Sequence, residues 1–163
     1  MKLILSFLLI LGLLCNSLRV MSQIQPVKIK NLRGKPIVQV ELNGKKAYFL
    51  LDTGSDLTVM HEDIADFYNF NIKEMVIPLK VAGVDGSTGG MNRASNIELK
   101  LGELSILTPY FSYDLSSVIK YIQSKTFLTI SGIIGSDVMV KYGFVIDYGE
   151  ELVYIERADP SAG

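Results

Sequence analysis

From Val27 to Leu32 apolar and polar residues alternate, Gly34-Lys35-Pro36 interrupts the pattern, and the period of two resumes over Ile37-Val38-Gln39-Val40-Glu41-Leu42. Alternation sorts side chains onto opposite faces of an extended chain, so both stretches predict strands. Asn43-Gly44 predicts a tight hairpin because both residues tolerate positive φ, and Lys45 to Leu51 predicts the returning strand. Acidic residues at Glu62 and Asp63, followed by Ile64, Ala65, Phe67 and Tyr68, predict a short helix between His61 and Phe70. Val76 to Val81 and Met91 to Leu101 flank a Gly-rich stretch and predict a long hairpin with a mobile tip, after which Ser105 to Tyr113 predicts another strand. Val118, Ile119 and Ile122 lie at helical spacing within Ser116 to Lys125, and Thr129 to Gly135 reads as a buried strand. Asp137 is expected to cap a short helix through Tyr142. Phe144 to Asp147 and Leu152 to Ile155 predict a closing hairpin, with a flexible tail over 158–163. The order of elements predicts one mainly β domain with short helices over 23–157, with no repeat or internal linker.

The N-terminus departs from this pattern. Met1-Lys2 leads into Leu3 to Leu14, an almost continuous apolar run too short for a bilayer span, which needs about 20 residues. Asn16, Ser17 and Arg19 close the run, and Val20-Met21-Ser22 places a small residue before an expected cut. Residues 1–22 are therefore expected to be a secretory signal peptide, with the mature protein periplasmic or secreted and without a stable membrane span. Lipid attachment at Cys15 is the alternative, disfavoured because Leu14 replaces the small residue such a signal requires just before the cysteine.

Composition narrows the function classes. The chain has 163 residues, with 16 Lys and Arg against 17 Asp and Glu, and that balance gives no basic footprint for nucleic acid. Its single cysteine lies in the expected leader, so the exported domain would have no disulfide and depend on its core. With one histidine, neither a histidine-based triad nor a multi-histidine metal site can be assembled, and no cofactor is expected. That histidine, His61, is expected at the surface where a helix starts.

The candidate chemistry lies at the end of the third strand. Tyr48-Phe49-Leu50-Leu51 runs into Asp52-Thr53-Gly54-Ser55, which places a carboxylate on a tight turn at the edge of a hydrophobic wall. Such a carboxylate is costly to ionise unless hydrogen-bonded. Gly54 permits close backbone approach, while the Thr53 and Ser55 hydroxyls can orient and satisfy it. Taken alone, this is also the composition of an ordinary turn.

Leu51-Asp52-Thr53-Gly54-Ser55-Asp56-Leu57-Thr58-Val59 resembles the active-site loop of retropepsin-like aspartic peptidases, and Gly132-Ile133-Ile134-Gly135-Ser136-Asp137 resembles their second signature. The two motifs occur in the family's order and at a similar separation, with the Gly-rich hairpin where that family has its flap. The resemblance spans about Val27 to Glu156 and is of the bacterial exported type. It implies a closed, single-lobe, acid-protease barrel in which the strand through Ile134 threads the loop bearing Asp52. It further implies an endopeptidase acting on polypeptides, with Asp52 catalytic and Thr53, Gly54 and Ser55 supporting it. The chemistry needs two carboxylates, one as base on water and one as acid, and the chain has one Asp-Thr-Gly. A symmetric homodimer would supply the second. Thr53 resembles the residue whose hydroxyl bonds across that dimer. Substrate contacts are implied for the flap residues Gly83, Val84, Asp85 and Gly86 and for Ile133 and Ile134, although Asp85 equally suits a plain turn. Asp56 either meets the substrate backbone or caps the turn. Tyr110, Phe111 and Tyr113 read as core and wall.

Two departures stand out. Ser136 replaces the arginine that retropepsins use at their interface, and the chain continues into the hairpin from Phe144 to Ile155 where retroviral enzymes end. The rival reading, from another class, is a non-catalytic binding or scaffold domain that keeps the barrel and has lost turnover.

Overall fold

The computed structural model describes residues 26–75, 79–82 and 88–156. The expected leader and tail and the tip of the Gly-rich hairpin lie outside them. Strands β1 (Val27–Leu32), β2 (Lys35–Leu42) and β3 (Lys45–Leu51) form an antiparallel meander. Its second turn is the predicted one, since Asn43 and Gly44 both adopt positive φ, at 48° and 77°. Beyond Asp52 the chain makes β4 (Val59–His61), a 3₁₀ turn over Glu62–Ile64, and the single α-turn α1 (Ala65–Tyr68), closed by left-handed Asn69. β5 (Asn71–Lys73) and β6 (Leu79–Ala82) follow, and both pair with β7 (Thr88–Ser95). Then come β8 (Leu99–Leu101), β9 (Leu104–Ile106), β10 (Tyr110–Tyr113), α2 (Ser116–Thr126), β11 (Gly132–Ile134), α3 (Ser136–Tyr142), β12 (Phe144–Asp147) and β13 (Leu152–Ile155).

Two predicted strands are split. Met91 to Leu101 breaks at Asn96, which takes a positive φ of 60°, so that β7 stays with the hairpin while β8 crosses to pair with β2 and β9. Asn96 is held there by a distant partner, its amide donating to the Asn69 carbonyl at 2.9 Å. Asn43 joins the same lock through donor contacts to the carbonyls of Tyr68 and Asn96, while its Oδ1 accepts from the Glu98 amide. Ser105 to Tyr113 breaks before Pro109, which cannot donate to a ladder, and β10 then pairs parallel to β4.

The strands hydrogen-bond along the path β12-β13-β1-β2-β3-β11-β4-β10-β7-β5. Ile29 and Val153 from one end of this path share a buried cluster with Ala94 and Tyr110 from the other, so the sheet curls around a single main core in the manner of a barrel. Ala47, Phe49 and Leu51 of β3 point into that core, whereas Leu50 points outward. The outer face is covered as well: Leu50 joins Ile37, Ile133, Leu115, Ile122 and Ile130 beneath α2. β3 is thus buried on both faces, which accounts for its run of large apolar residues rather than an alternating pattern. Each fully buried side chain of this size contributes about 1.5–3 kcal/mol. The end of the strand that delivers Asp52 is thereby packed on both faces.

Candidate active site

β11 lies between β3, with which it pairs in parallel, and β4, with which it pairs antiparallel. The loop from Asp52 to Thr58 connects those two flanking strands and must therefore arch over the end of β11. This is the threading expected from the two motifs. Glycine is required at both ends of the threading strand. A Cβ on Gly132 would lie 2.6 Å from the Val59 carbonyl oxygen, and one on Gly135 would lie 2.5 Å from the Leu57 oxygen and 2.8 Å from that of Ser55. At Gly135 the obstacles are all backbone, and at Gly132 the buried Phe49 ring stands closer still than the backbone oxygen. Ile133 and Ile134 alternate between the outer and main cores, and so the apolar pair of the motif is a two-sided packing requirement.

The loop is tied to the threading strand by its backbone. The Asp52 amide donates to the Ile134 carbonyl at 3.1 Å, and the Ser136 amide donates to the Ser55 carbonyl at 2.8 Å. Within the turn, the Ser55 amide donates to the Asp52 carbonyl at 3.1 Å, and the Gly54 amide donates to Asp52 Oδ1 at 2.9 Å. The carboxylate is half-buried, with Thr53 and Gly54 exposed beside it. Among the described residues no other hydrogen bond reaches the Asp52 side chain. One oxygen is therefore oriented by backbone and the group remains accessible to a reactant. Ser55 does not touch the carboxylate; its hydroxyl donates to the Leu57 carbonyl at 2.8 Å and shapes the far side of the loop.

Other expected residues divide. Asp56 is exposed and its side chain caps no turn among the described residues. Ile134 is fully buried in the main core and Ile133 nearly so in the outer one. Both are packing residues, and the contribution of Ile134 to the site is its carbonyl. Gly83, Val84, Asp85 and Gly86 lie outside the described residues. Tyr110 and Phe111 are buried and Tyr113 is half-buried, as core and wall. Burial first, then Tyr142 and Asp137, push the Tyr110 phenol well above its ordinary range, so it stays a neutral donor, to the Ile106 carbonyl.

Two expectations are corrected. His61 is not at the surface: it is 7% exposed on β4, its Nδ1 accepting from the Leu115 amide at 3.2 Å. The imidazole faces inward because that amide, at the entry to α2, needs an acceptor. Asp137 does not cap α3. The N-cap is Gly135, and Asp137 instead accepts from Thr58 Oγ1 at 2.8 Å and from Thr108 Oγ1 at 3.1 Å. Thr58 was not singled out by sequence reasoning, yet it is fully buried, and its hydroxyl also accepts from the Gly135 amide at 3.1 Å. A polar residue between Leu57 and Val59, in an otherwise apolar strand start, was the available signal.

No cluster of three or more His, Cys, Asp or Glu side chains suited to a metal occurs among the described residues. No helix among them is long and apolar enough to cross a membrane.

Comparison with known proteins agrees with this geometry. The profile of the aspartyl protease family matches residues 38–138, a span that includes both motifs. A retropepsin-like aspartic protease from Rickettsia conorii aligns with a TM-score of 0.52 at 16% identity, over 83% of this chain and 92% of that one. The EIAV protease, complexed with the inhibitor HBY-793, aligns with a TM-score of 0.49 at 19% identity, over 70% of this chain and 93% of that one. Among curated proteins no sequence relative matches. At 16% identity the Rickettsia structure speaks to the fold alone, and the family match covers both motifs. The chain belongs to the aspartyl protease family and has its retropepsin-like fold.

Proposed function

We propose that the protein is an exported aspartic endopeptidase whose active site is a pair of Asp52 carboxylates, one from each subunit of a homodimer. The observation that carries this reading is the state of Asp52: a half-buried carboxylate, oriented through one oxygen by the Gly54 amide and otherwise open, on a loop anchored to the threading strand. A turn residue with a purely local role has no need for that second tether. One protomer supplies one such group, and general acid and general base must act together on an amide. Two carboxylates brought into contact share one proton, because like charges at that range resist joint ionisation.

In the paired site the ionised carboxylate takes a proton from a bound water as its oxygen adds to the substrate carbonyl carbon. The protonated carboxyl meanwhile donates to the carbonyl oxygen. Collapse of the tetrahedral diol breaks the C–N bond as the carboxyl that took the water's proton gives it to the leaving nitrogen. The other carboxylate takes a diol proton, which restores the shared-proton pair with no bond formed between enzyme and substrate. Thr53 is exposed next to Asp52 and is available for a hydroxyl contact across the dimer. Asp56, also exposed on the loop, is available to the substrate backbone. Export rests on the N-terminal apolar run and the small residue at Ser22.

The test is direct. Mature protein should digest an unfolded protein mixture at acidic pH, a statine-type transition-state mimic should block digestion, and Asp52→Asn should abolish it. A correctly folded wild type that binds polypeptide without cleaving it would overturn the proposal and leave a non-catalytic domain of this fold.

A further inference from the structure

We propose that Asp137 is a positioning residue for the catalytic loop, acting through the hydroxyl of Thr58. The inference rests on the assignment of Asp52 as the catalytic carboxylate. The hydrogen-bond directions at Thr58 are not interchangeable. The Gly135 amide can only donate, so Thr58 Oγ1 must accept from it, and the single hydroxyl proton is left for an acceptor. That acceptor is Asp137 Oδ1, and the carboxylate is held in place by Thr108, which donates to Oδ2 from the loop before β10.

The chain of contacts spans the site from below. Thr58 ends the loop that begins at Asp52, and Gly135 follows Ile134, whose carbonyl holds the Asp52 amide. Asp137 therefore fixes how the end of the loop sits against the threading strand, and with it the height of Asp52. Thr58 is fully buried and Asp137 half-buried, and removing the carboxylate leaves the Thr58 hydroxyl without its acceptor among the described residues. Asp137 approaches no reactant in this arrangement. Its effect passes through Thr58, and small misplacements of a catalytic group are costly to rate.

The experiment uses the full mature chain, denatured casein as substrate, four single variants and the double variant Asp137→Ala/Thr58→Val. Asp137→Asn keeps an acceptor for Thr58 and can donate to the Thr108 hydroxyl; Asp137→Ala removes both contacts. Thr58→Ser keeps the hydroxyl, whereas Thr58→Val removes it at nearly constant shape. We expect Asp137→Ala and Thr58→Val each to lower kcat by on the order of tenfold to a hundredfold with KM within about twofold. The double variant should be no slower than either single one, as residues acting through one contact are not additive. Asp137→Asn and Thr58→Ser should retain most of the activity. Amide exchange at Gly135 should accelerate in Asp137→Ala and Thr58→Val, and in neither conservative variant. This readout does not require cleavage, so a wild type that proves inactive overturns the proteolytic reading while exchange still judges the contact. Asparagine as damaging as alanine, multiplicative losses in the double variant, or unchanged Gly135 exchange in Asp137→Ala would overturn the inference. Should Asp137→Ala fail to fold, the Thr58→Ser and Thr58→Val pair decides by the same kcat and exchange criteria.

Discussion

The amide of Asp52 donates to the carbonyl of Ile134, so the carboxylate at the end of β3 hangs from the last residue of the neighbouring threading strand. Neither motif builds the site alone. The Asp-Thr-Gly turn orients one oxygen of the carboxylate, and the Gly-Ile-Ile-Gly strand sets where that turn sits.

If the close passage of the strand under the loop is what fixes the site, Gly135→Ala should be severely damaging. The added methyl would stand 2.5 Å from the Leu57 carbonyl oxygen and 2.8 Å from that of Ser55. Overpacking against backbone is expected to cost about 3 kcal/mol or more, measurable as a lowered urea midpoint with an unchanged m-value. A variant as stable as wild type would show that the loop does not press on Gly135.

The three-turn lock around Asn43 gives a second prediction. Its amide nitrogen donates to the Tyr68 and Asn96 carbonyls at 2.8 Å each and its Oδ1 accepts from the Glu98 amide. Asn43→Asp keeps the acceptor and the tolerance for positive φ but turns a second oxygen toward the carbonyls. A loss of about 1–3 kcal/mol is expected at neutral pH, read by thermal or urea denaturation. A loss confined to a few tenths of a kcal/mol would mean that water substitutes for the lock.

Asp114 supplies a pH dependence. Its carboxylate accepts from the Ser116 amide at 2.8 Å at the start of α2, and hydrogen bonding from Ser116 holds it below its ordinary range. A lowered folded-state value means the carboxylate binds protons less readily when folded. Its contribution is present above the unfolded value, near 3.8, and is lost as pH falls through the lower folded one. The stability gap between wild type and Asp114→Asn should therefore be largest near neutrality and shrink at strongly acidic pH, for example at about pH 2. A gap that persists unchanged in acid would assign the effect to something other than ionisation.

These cases also show what could be read from sequence. Asn43-Gly44 declared a hairpin because the requirement for positive φ is local, and Asp52 stood out because a carboxylate ending an apolar strand is chemically conspicuous. The paired motifs carried the fold, since a strand buried on both faces and bracketed by glycines has few other uses. What escaped depended on distant partners. The strand predicted through Asn96 breaks because of a carbonyl at Asn69, His61 turns inward for an amide at Leu115, and Asp137 serves Thr58 and Thr108 instead of its own helix. A helix-start aspartate and a helix-start histidine have the same local signature whether they serve the helix or another strand.

The central claim is that catalysis needs one Asp52 from each of two chains, and subunit mixing tests it most directly. Asp52→Asn preserves shape and removes the ionisable group, so the variant should fold and dimerise without cleaving. Wild type and variant unfolded together in equal amounts and refolded would pair at random into about one quarter wild-type, one half mixed and one quarter variant dimers. A mixed dimer has one carboxyl and cannot serve as base and acid together. With co-refolding and dimer formation verified, activity should fall to about one quarter of an all-wild-type sample at the same total chain concentration. Activity near one half would contradict the shared site, because it is the value that independently active chains would give.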